Sequence, residues 1–362
     1  MAHSHLRTRP TALLAGALCA AFATAASAEP ISVTDQRGNT VELGGPAERV
    51  VTFPMPAAAL FASVDGSAER LEAIHPMSAK AIEDGILGTI YPEAGDLYTD
   101  ITKGGVFNPN VETVLTLNPD LVFQWAGRGD DLLAPLDNAG LNVLGLTYGD
   151  QEKTEVWIRT IAAVVGEPER GDMIVSLHHD AMADITARVA DIPEADRVSV
   201  VYMLRAEKSL EVRGEGSYNH FYMDMVGGVN PAKDAGSRVR VNPEQMLAWN
   251  PDVILLGNFD AAVPEDFYTN PLFAELDAVK ERRVYKVPLG GYRWDPPSQE
   301  SPLMWKWLAA VLYPDAMPDD IRGEIASFYA AVYGYDVSDA EIDAILQMDL
   351  NGGNAGYDRF AG

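Results

Sequence analysis

Two segments 132 positions apart repeat one pattern of apolar and polar residues. Asn110-Val-Glu112-Thr-Val-Leu-Thr-Leu-Asn118-Pro119-Asp120 runs into Leu-Val-Phe, and Asn242-Pro-Glu244-Gln-Met-Leu-Ala-Trp-Asn250-Pro251-Asp252 runs into Val-Ile-Leu. In each, Asn is suited to cap a helix start and Glu, two residues on, opposes the positive end of the helix dipole. The helix must stop before Pro, which disfavours helix in the residue ahead of it. The apolar run that follows reads as a buried parallel strand. Two such units predict two similar α/β lobes.

Other short apolar runs fit the same scheme. Strands are expected at 49–53, 71–74, 121–125 and 142–146 in the first half, and at 197–204, 253–256 and 284–287 in the second. They alternate with helical stretches, which argues for parallel sheets with right-handed crossovers. Between the halves, Met173, Ile174, Leu177, Ala181, Ile185 and Val189 follow helical spacing after Pro168. A helix over 169–190 would be on the order of 30 Å long, enough to bridge two lobes. The fold class is therefore α/β: two similar lobes with parallel-sheet cores, one long joining helix, and a ligand cleft between the lobes.

The first 28 residues differ in kind. Arg7 and Arg9 precede an apolar run, and Ala26-Ser27-Ala28 fits a small-x-small cleavage rule, so a signal peptide cut after Ala28 is expected. The run is too short for a membrane span, and Leu18 ahead of Cys19 argues against a lipoprotein signal. The expected organisation is leader 1–28, N-terminal lobe 29–150, linker with bridging helix 151–193, C-terminal lobe 194–335 and tail 336–362. The tail, with one helix near 339–348, reads as loosely packed and without a role.

Charge and composition narrow the function. The 362 residues carry a net charge of −26, and the only cysteine lies in the leader. Nucleic-acid binding, which needs a basic face, is not expected, nor are disulfides or a Cys-based metal centre. An apolar content of 47% allows real cores. Hydrolase-elbow, phosphate-loop, dinucleotide and zinc-protease motifs do not occur.

The segments "RVVTF", "NVETVLTLNPDLVFQW", "GGVNPAKDA" and "VNPEQMLAWNPDVILL", with the bilobal pattern, resemble the helical-backbone substrate-binding proteins of ABC importers over about 31–314. That family carries iron–siderophores, haem, cobalamin and related metal complexes. The resemblance implies a monomeric periplasmic protein without intrinsic cofactor or membrane insertion. It would capture a small metal complex and deliver it to the transmembrane subunits of an ABC permease. In the family one glutamate on each lobe meets the permease, and the matching positions are Glu112 and Glu244. An iron–siderophore is the first expectation; cobalamin, haem, a nickel or cobalt chelate and molybdate or tungstate are alternatives. An exported enzyme on the same scaffold is the alternative from another class.

Ligands of open α/β sheets sit off the carboxyl ends of the strands. The residues there are Met55, His75, Met77, Trp125, Arg128 and Tyr148 in the first half, to which the family resemblance adds Phe107, and Arg205, Tyr218, His220, Phe259, Tyr292, Arg293 and Trp294 in the second. Aromatic and Met side chains offer apolar, polarisable walls, and arginines offer planar donors to carboxylate, catecholate or oxyanion groups. Arg128, Arg205 and Arg293 in so acidic a chain favour an anionic ligand. The loop Tyr292-Arg293-Trp294 lies between glycines and prolines and is expected to be exposed in the cleft. His178 and His179 point about 100° apart on the bridging helix and read as solvated. His75 and His220 could complete a metal shell, but a bare-ion site lacks a third histidine.

Overall fold

The computed structural model describes all residues except 2–28, Lys208, Pro318 and Asp319, so the expected leader and its cut after Ala28 lie outside the described residues. The chain opens with an antiparallel hairpin, β1 (Ile31–Thr34) and β2 (Thr40–Leu43). The first sheet is β3 (Val50–Thr52), β4 (Leu71–Ile74), β5 (Leu121–Trp125) and β6 (Val143–Leu146), in the order β4-β3-β5-β6. All its pairings are parallel, with Val50 opposite Leu121 and Val122 opposite Val143. Every residue of β5 and β6 is buried, as a sheet covered on both faces requires.

The second sheet contains β7 (Val200–Arg205), β8 (Leu210–Val212), β9 (Val239–Val241), β10 (Val253–Leu256) and β11 (Val284–Lys286), in the order β11-β10-β7-β8-β9. Strands β11, β10 and β7 are parallel, as expected. Strands β8 and β9 are antiparallel additions that the sequence pattern does not reveal. They are three residues each, too short for alternation to stand out.

The repeated unit is legible in the geometry. Asn118 and Asn250 both take the left-handed backbone conformation, with φ of 47° and 40°. Asn tolerates that region because its short polar side chain bonds locally, so the asparagine, not only the proline after it, ends each helix. The two starts differ. The Asn242 side chain accepts from the Gln245 N–H at 2.8 Å, whereas Asn110 makes no side-chain cap; instead its own N–H donates to the Ile101 carbonyl.

The bridging helix runs over Pro168–Val189, about 33 Å at 1.5 Å per residue. It is antiparallel neighbour to the helix Gln151–Val165, and Gly171 lets them close: a Cβ there would stand 2.5 Å from the Ala162 Cβ. Arg170 donates to the carbonyls of Ser63, Val64 and Val332 at 2.6, 2.8 and 2.9 Å, tying the helix to both halves of the chain. His178 corrects the expectation of solvation. It is fully buried, with Nδ1 against the Gln151 amide (2.8 Å) and Nε2 against the Gln299 carbonyl (3.2 Å). His179 is exposed, and pairs with Glu155.

The tail is also corrected. Tyr357 and Phe360 are buried, and side-chain amides pair with the free edge of β11 as a strand would. Asn351 accepts from the Lys286 N–H and donates to its carbonyl, both at 2.8 Å, and Asn354 donates to the Val284 carbonyl. An edge covered in this way cannot template pairing with another chain.

Candidate functional site

The strand ends of the two sheets face one another. On the first side, aromatic rings form a continuous wall: His75 to Phe107 at 5.1 Å, Phe107 to Trp125 at 5.9 Å and Trp125 to Tyr148 at 6.5 Å. The Arg128 guanidinium stands over it, 4.5 Å from the Trp125 ring and 4.9 Å from Phe107. The fold thus brings together five residues expected at the cleft, but Trp125 is itself fully buried in the core, so its ring supports the wall rather than lining it.

His75 has little freedom to bind metal. Its Nδ1 accepts from the Met77 N–H at 3.1 Å, capping the helix Pro76–Asp84, and its Nε2 lies 2.7 Å from the Val106 carbonyl. Burial, with a smaller contribution from the Arg293 charge, lowers its pKa and keeps it neutral. His220 turns instead to the Asn230 amide, 3.3 Å from its Nδ1. Among the described residues no group of three or more His, Cys, Asp or Glu is arranged to hold a metal ion.

On the second side three expectations are corrected. Tyr218, Tyr292 and Trp294 are fully buried rather than cleft walls. The Tyr218 hydroxyl donates to Gln151 Oε1 at 3.1 Å and shares a hydrogen bond with the Ser301 hydroxyl at 2.9 Å, and the Trp294 indole donates to Glu300 at 2.6 Å. Later helices cover this loop: Glu300 also accepts from the Tyr333 hydroxyl, and Gly290 leaves room that a Cβ would lose, 2.2 Å from Glu300 Oε2. Arg205 ends β7 exposed and opposite Glu211, with no hydrogen bond or ring contact to the aromatic wall among the described residues.

Two residues of this loop reach the first lobe: the Gly290 carbonyl accepts from the Ile86 N–H at 3.0 Å, and Arg293 crosses with its side chain. Arg293 is 4% exposed; its Nη1 donates to the Met77 carbonyl at 3.0 Å, its Nε donates to the Asn258 carbonyl at 2.9 Å, and its guanidinium lies 4.9 Å from the Phe259 ring. Met55 is half-buried on the same floor, its carbonyl held by Ser78 at 2.8 Å.

Two arginines escaped the sequence reading. Arg213 follows β8, and Arg238 precedes β9. Desolvation lowers the Arg128 pKa; Tyr148 opposes this, and the charges of Arg213 and Arg238 add to the lowering. Arg238 is paired with Glu211 at 2.6 Å. Arg213 donates one bond to the Ser237 carbonyl, but its buried Nε has no hydrogen-bond partner. The Trp125 Nε1 and the buried Asp295 Oδ1 are likewise unpartnered. Such atoms are rare in folded proteins, and each needs a reason. The signal that could have found Arg213 is Val212-Arg-Gly214, a cation between a β-branched residue and a glycine.

Glu112 and Glu244 are the second residues of the helices Val111–Thr116 and Pro243–Trp249. Both are exposed, and neither makes an ion pair among the described residues. No helix of the described residues is long and apolar enough to cross a membrane.

Residues 88–289 match the model of the family described as periplasmic binding protein. A periplasmic solute binding protein from Veillonella parvula is 32% identical, with a TM-score of 0.81 over 90% of this chain and 99% of that one. The molybdate-binding protein MolA of Haemophilus influenzae is 25% identical over 66% of this chain and 74% of its own. The Fe(3+)-citrate-binding protein YfmC of Bacillus subtilis is 22% identical over 70% and 76%. Two lobes of this topology on one bridging helix, and a family match over more than half the length, lead to one conclusion: the chain belongs to the periplasmic binding protein family, among the bilobal solute-binding proteins of ABC importers.

Proposed function

We propose that the protein is exported to the periplasm, captures an anionic metal complex between its lobes and hands it to an ABC permease. The observation that carries this reading is the guanidinium of the exposed Arg128 over the Trp125 and Phe107 rings, together with the unpartnered buried Nε of Arg213, whose charge acts on Arg128. Guanidinium groups bind carboxylate, catecholate and oxometalate oxygens through paired N–H donors, and ring faces accept a flat organic chelate. Phe107 and Tyr148, both half-buried, favour an iron–siderophore, whose chelating arms present both aromatic and oxyanion surface. A second reading, molybdate, is favoured by the likeness to MolA. No cofactor is needed for either. Arg128, Arg213 and Arg293 would hold the anionic oxygens, with Met55, Met77 and Phe259 as apolar floor. Glu112 and Glu244, on equivalent helices, would present a symmetric pair of charges to two like permease subunits.

The test is the metal content and mass spectrum of whatever copurifies with the native protein. Fluorescence titration with ferric enterobactin, ferric citrate, cobalamin, haem and molybdate would follow. Iron with an organic chelator supports the siderophore reading, and molybdenum alone supports the second. Turnover of generic ester, phosphate or glycoside substrates, without binding of any complex, would replace both with an enzyme.

A further inference from the structure

Gln347 lies in the tail, far in sequence from every cleft residue, yet it touches the group that fixes Arg293. Its Nε2 donates to the Asn258 Oδ1 at 3.2 Å and to the Val287 carbonyl. Asn258 in turn donates from Nδ2 to the carbonyls of Val287 and Pro288 at 2.8 and 3.1 Å, so both ends of its amide are held. The Asn258 main-chain carbonyl receives the Arg293 Nε, and the Arg293 Nη1 reaches Met77 on the opposite lobe. An unbroken path of polar contacts therefore runs from the tail to the cleft.

The backbone at Gln347 strengthens the case. Its φ is 52°, a conformation that favours glycine and that a long side chain adopts at a cost. Strain of this kind persists where the surroundings over-determine it, and it gathers at functional sites. Here the neighbours do so: Leu289 N–H bonds the Ile345 carbonyl just before it, and Asn351 grips Lys286 just after it. A glycine at 347 would relieve the backbone but would lose the amide that Asn258 meets.

We infer that Gln347 is a positioning residue for the cleft: through Asn258 it sets the Arg293 guanidinium in its lobe-spanning pose. The tail is then part of the binding apparatus. The ligand role of Arg293 comes from the proposed function; its positioning by Gln347 does not depend on it.

Arginine Nε–H exchange, measured by NMR on the full mature chain without any ligand, reads this directly. The Arg293 signal is identified by its loss in Arg293→Lys. In Gln347→Gly, which removes strain and amide together, the Arg293 Nε–H should exchange about 3- to 10-fold faster, the loss expected for one hydrogen bond, while the melting temperature does not fall. Gln347→Glu, which keeps the length but replaces the donor, should accelerate it similarly. Unchanged Arg293 exchange in both variants overturns the inference. Titration with ferric citrate and molybdate then separates the two claims. An affinity loss in Gln347→Gly that vanishes in the Arg293→Lys background supports both. Accelerated exchange with unaltered affinity for every probe that binds keeps the positioning and removes Arg293 from the ligand site.

Discussion

Asp120 and Asp252 make the same contact in the two lobes. Asp120 accepts from the N–H groups of Glu48 and Arg49 at 2.7 and 3.1 Å, and Asp252 accepts from the Ser199 N–H at 2.7 Å. Each aspartate follows the proline that ends its helix, and each fastens the start of the parallel strand beside its own, β3 or β7. The repeated Asn-Pro-Asp therefore closes a helix and sets the register of the central strand pair at once.

Replacing either aspartate with alanine should cost about 1.5–3 kcal/mol, the net worth of hydrogen bonds to a charged acceptor. Because the two sites are in different lobes, their effects should add within a few tenths of a kcal/mol. Thermal melts of Asp120→Ala, Asp252→Ala and the double variant check this. A marked non-additivity would show that the lobes do not carry these contacts independently.

Much of the fold was readable because it is written locally. Asn118, Pro119 and Asp120 lie within three residues, and so do their counterparts, so capping chemistry and apolar runs place both central strands. The parts that escaped depend on distant sequence. Tyr292 and Trp294 look exposed beside their glycines and prolines, and only the arrival of Tyr329, Tyr333 and the Glu300 carboxylate buries them. Arg213 was hidden because β8 is recognisable only through its antiparallel partners. Trp125, Arg128 and Tyr148 end or follow apolar runs that form β5 and β6, which is why their neighbourhood could be read locally, whereas Phe107 was reached only through the family resemblance.

His178 gives a pH signature. Burial lowers its pKa from 6.5 to about 4, outweighing the Gln299 carbonyl, which accepts from Nε2 and by itself would raise it. The unfolded chain therefore binds a proton between those values that the folded chain does not, so stability from this group is full above pH 6.5 and falls as pH drops toward 4. The slope approaches ~1.4 kcal/mol per pH unit. Melting temperature followed from pH 7 to pH 4 should decline less steeply in His178→Gln than in the parent protein. Parallel curves would contradict the burial of a neutral imidazole.

The arginines of the cleft should matter unequally. Arg213→Ala and Arg293→Ala are expected to weaken the best-binding anionic complex by about 10- to 150-fold, one charge-assisted hydrogen bond each. Arg205→Ala, at an exposed strand end, should change affinity less than two-fold by the same reckoning (about 0.4 kcal/mol or less). Isothermal titration of the three variants decides, and a larger loss at Arg205 than at Arg213 would reverse the assignment of the site.

Charge reversal at Glu112 and Glu244 should leave ligand affinity and melting temperature close to those of the parent, since both side chains are exposed. Uptake into vesicles holding the cognate permease should collapse, most in the double variant. Full transport by Glu112→Arg, Glu244→Arg would remove both residues from docking.

The helix Pro168–Val189 is pinned by Arg170 near one end and by His178 at its middle. Such a strut turns the molecule into a stiff clip rather than a pair of jaws on a loose hinge. Under the proposed function the strut would limit travel of the lobes, and the dwell time of a solute would become a property of the rim. It would be set by how often a contact such as Arg293 to Met77 breaks, and by what outside force helps to break it.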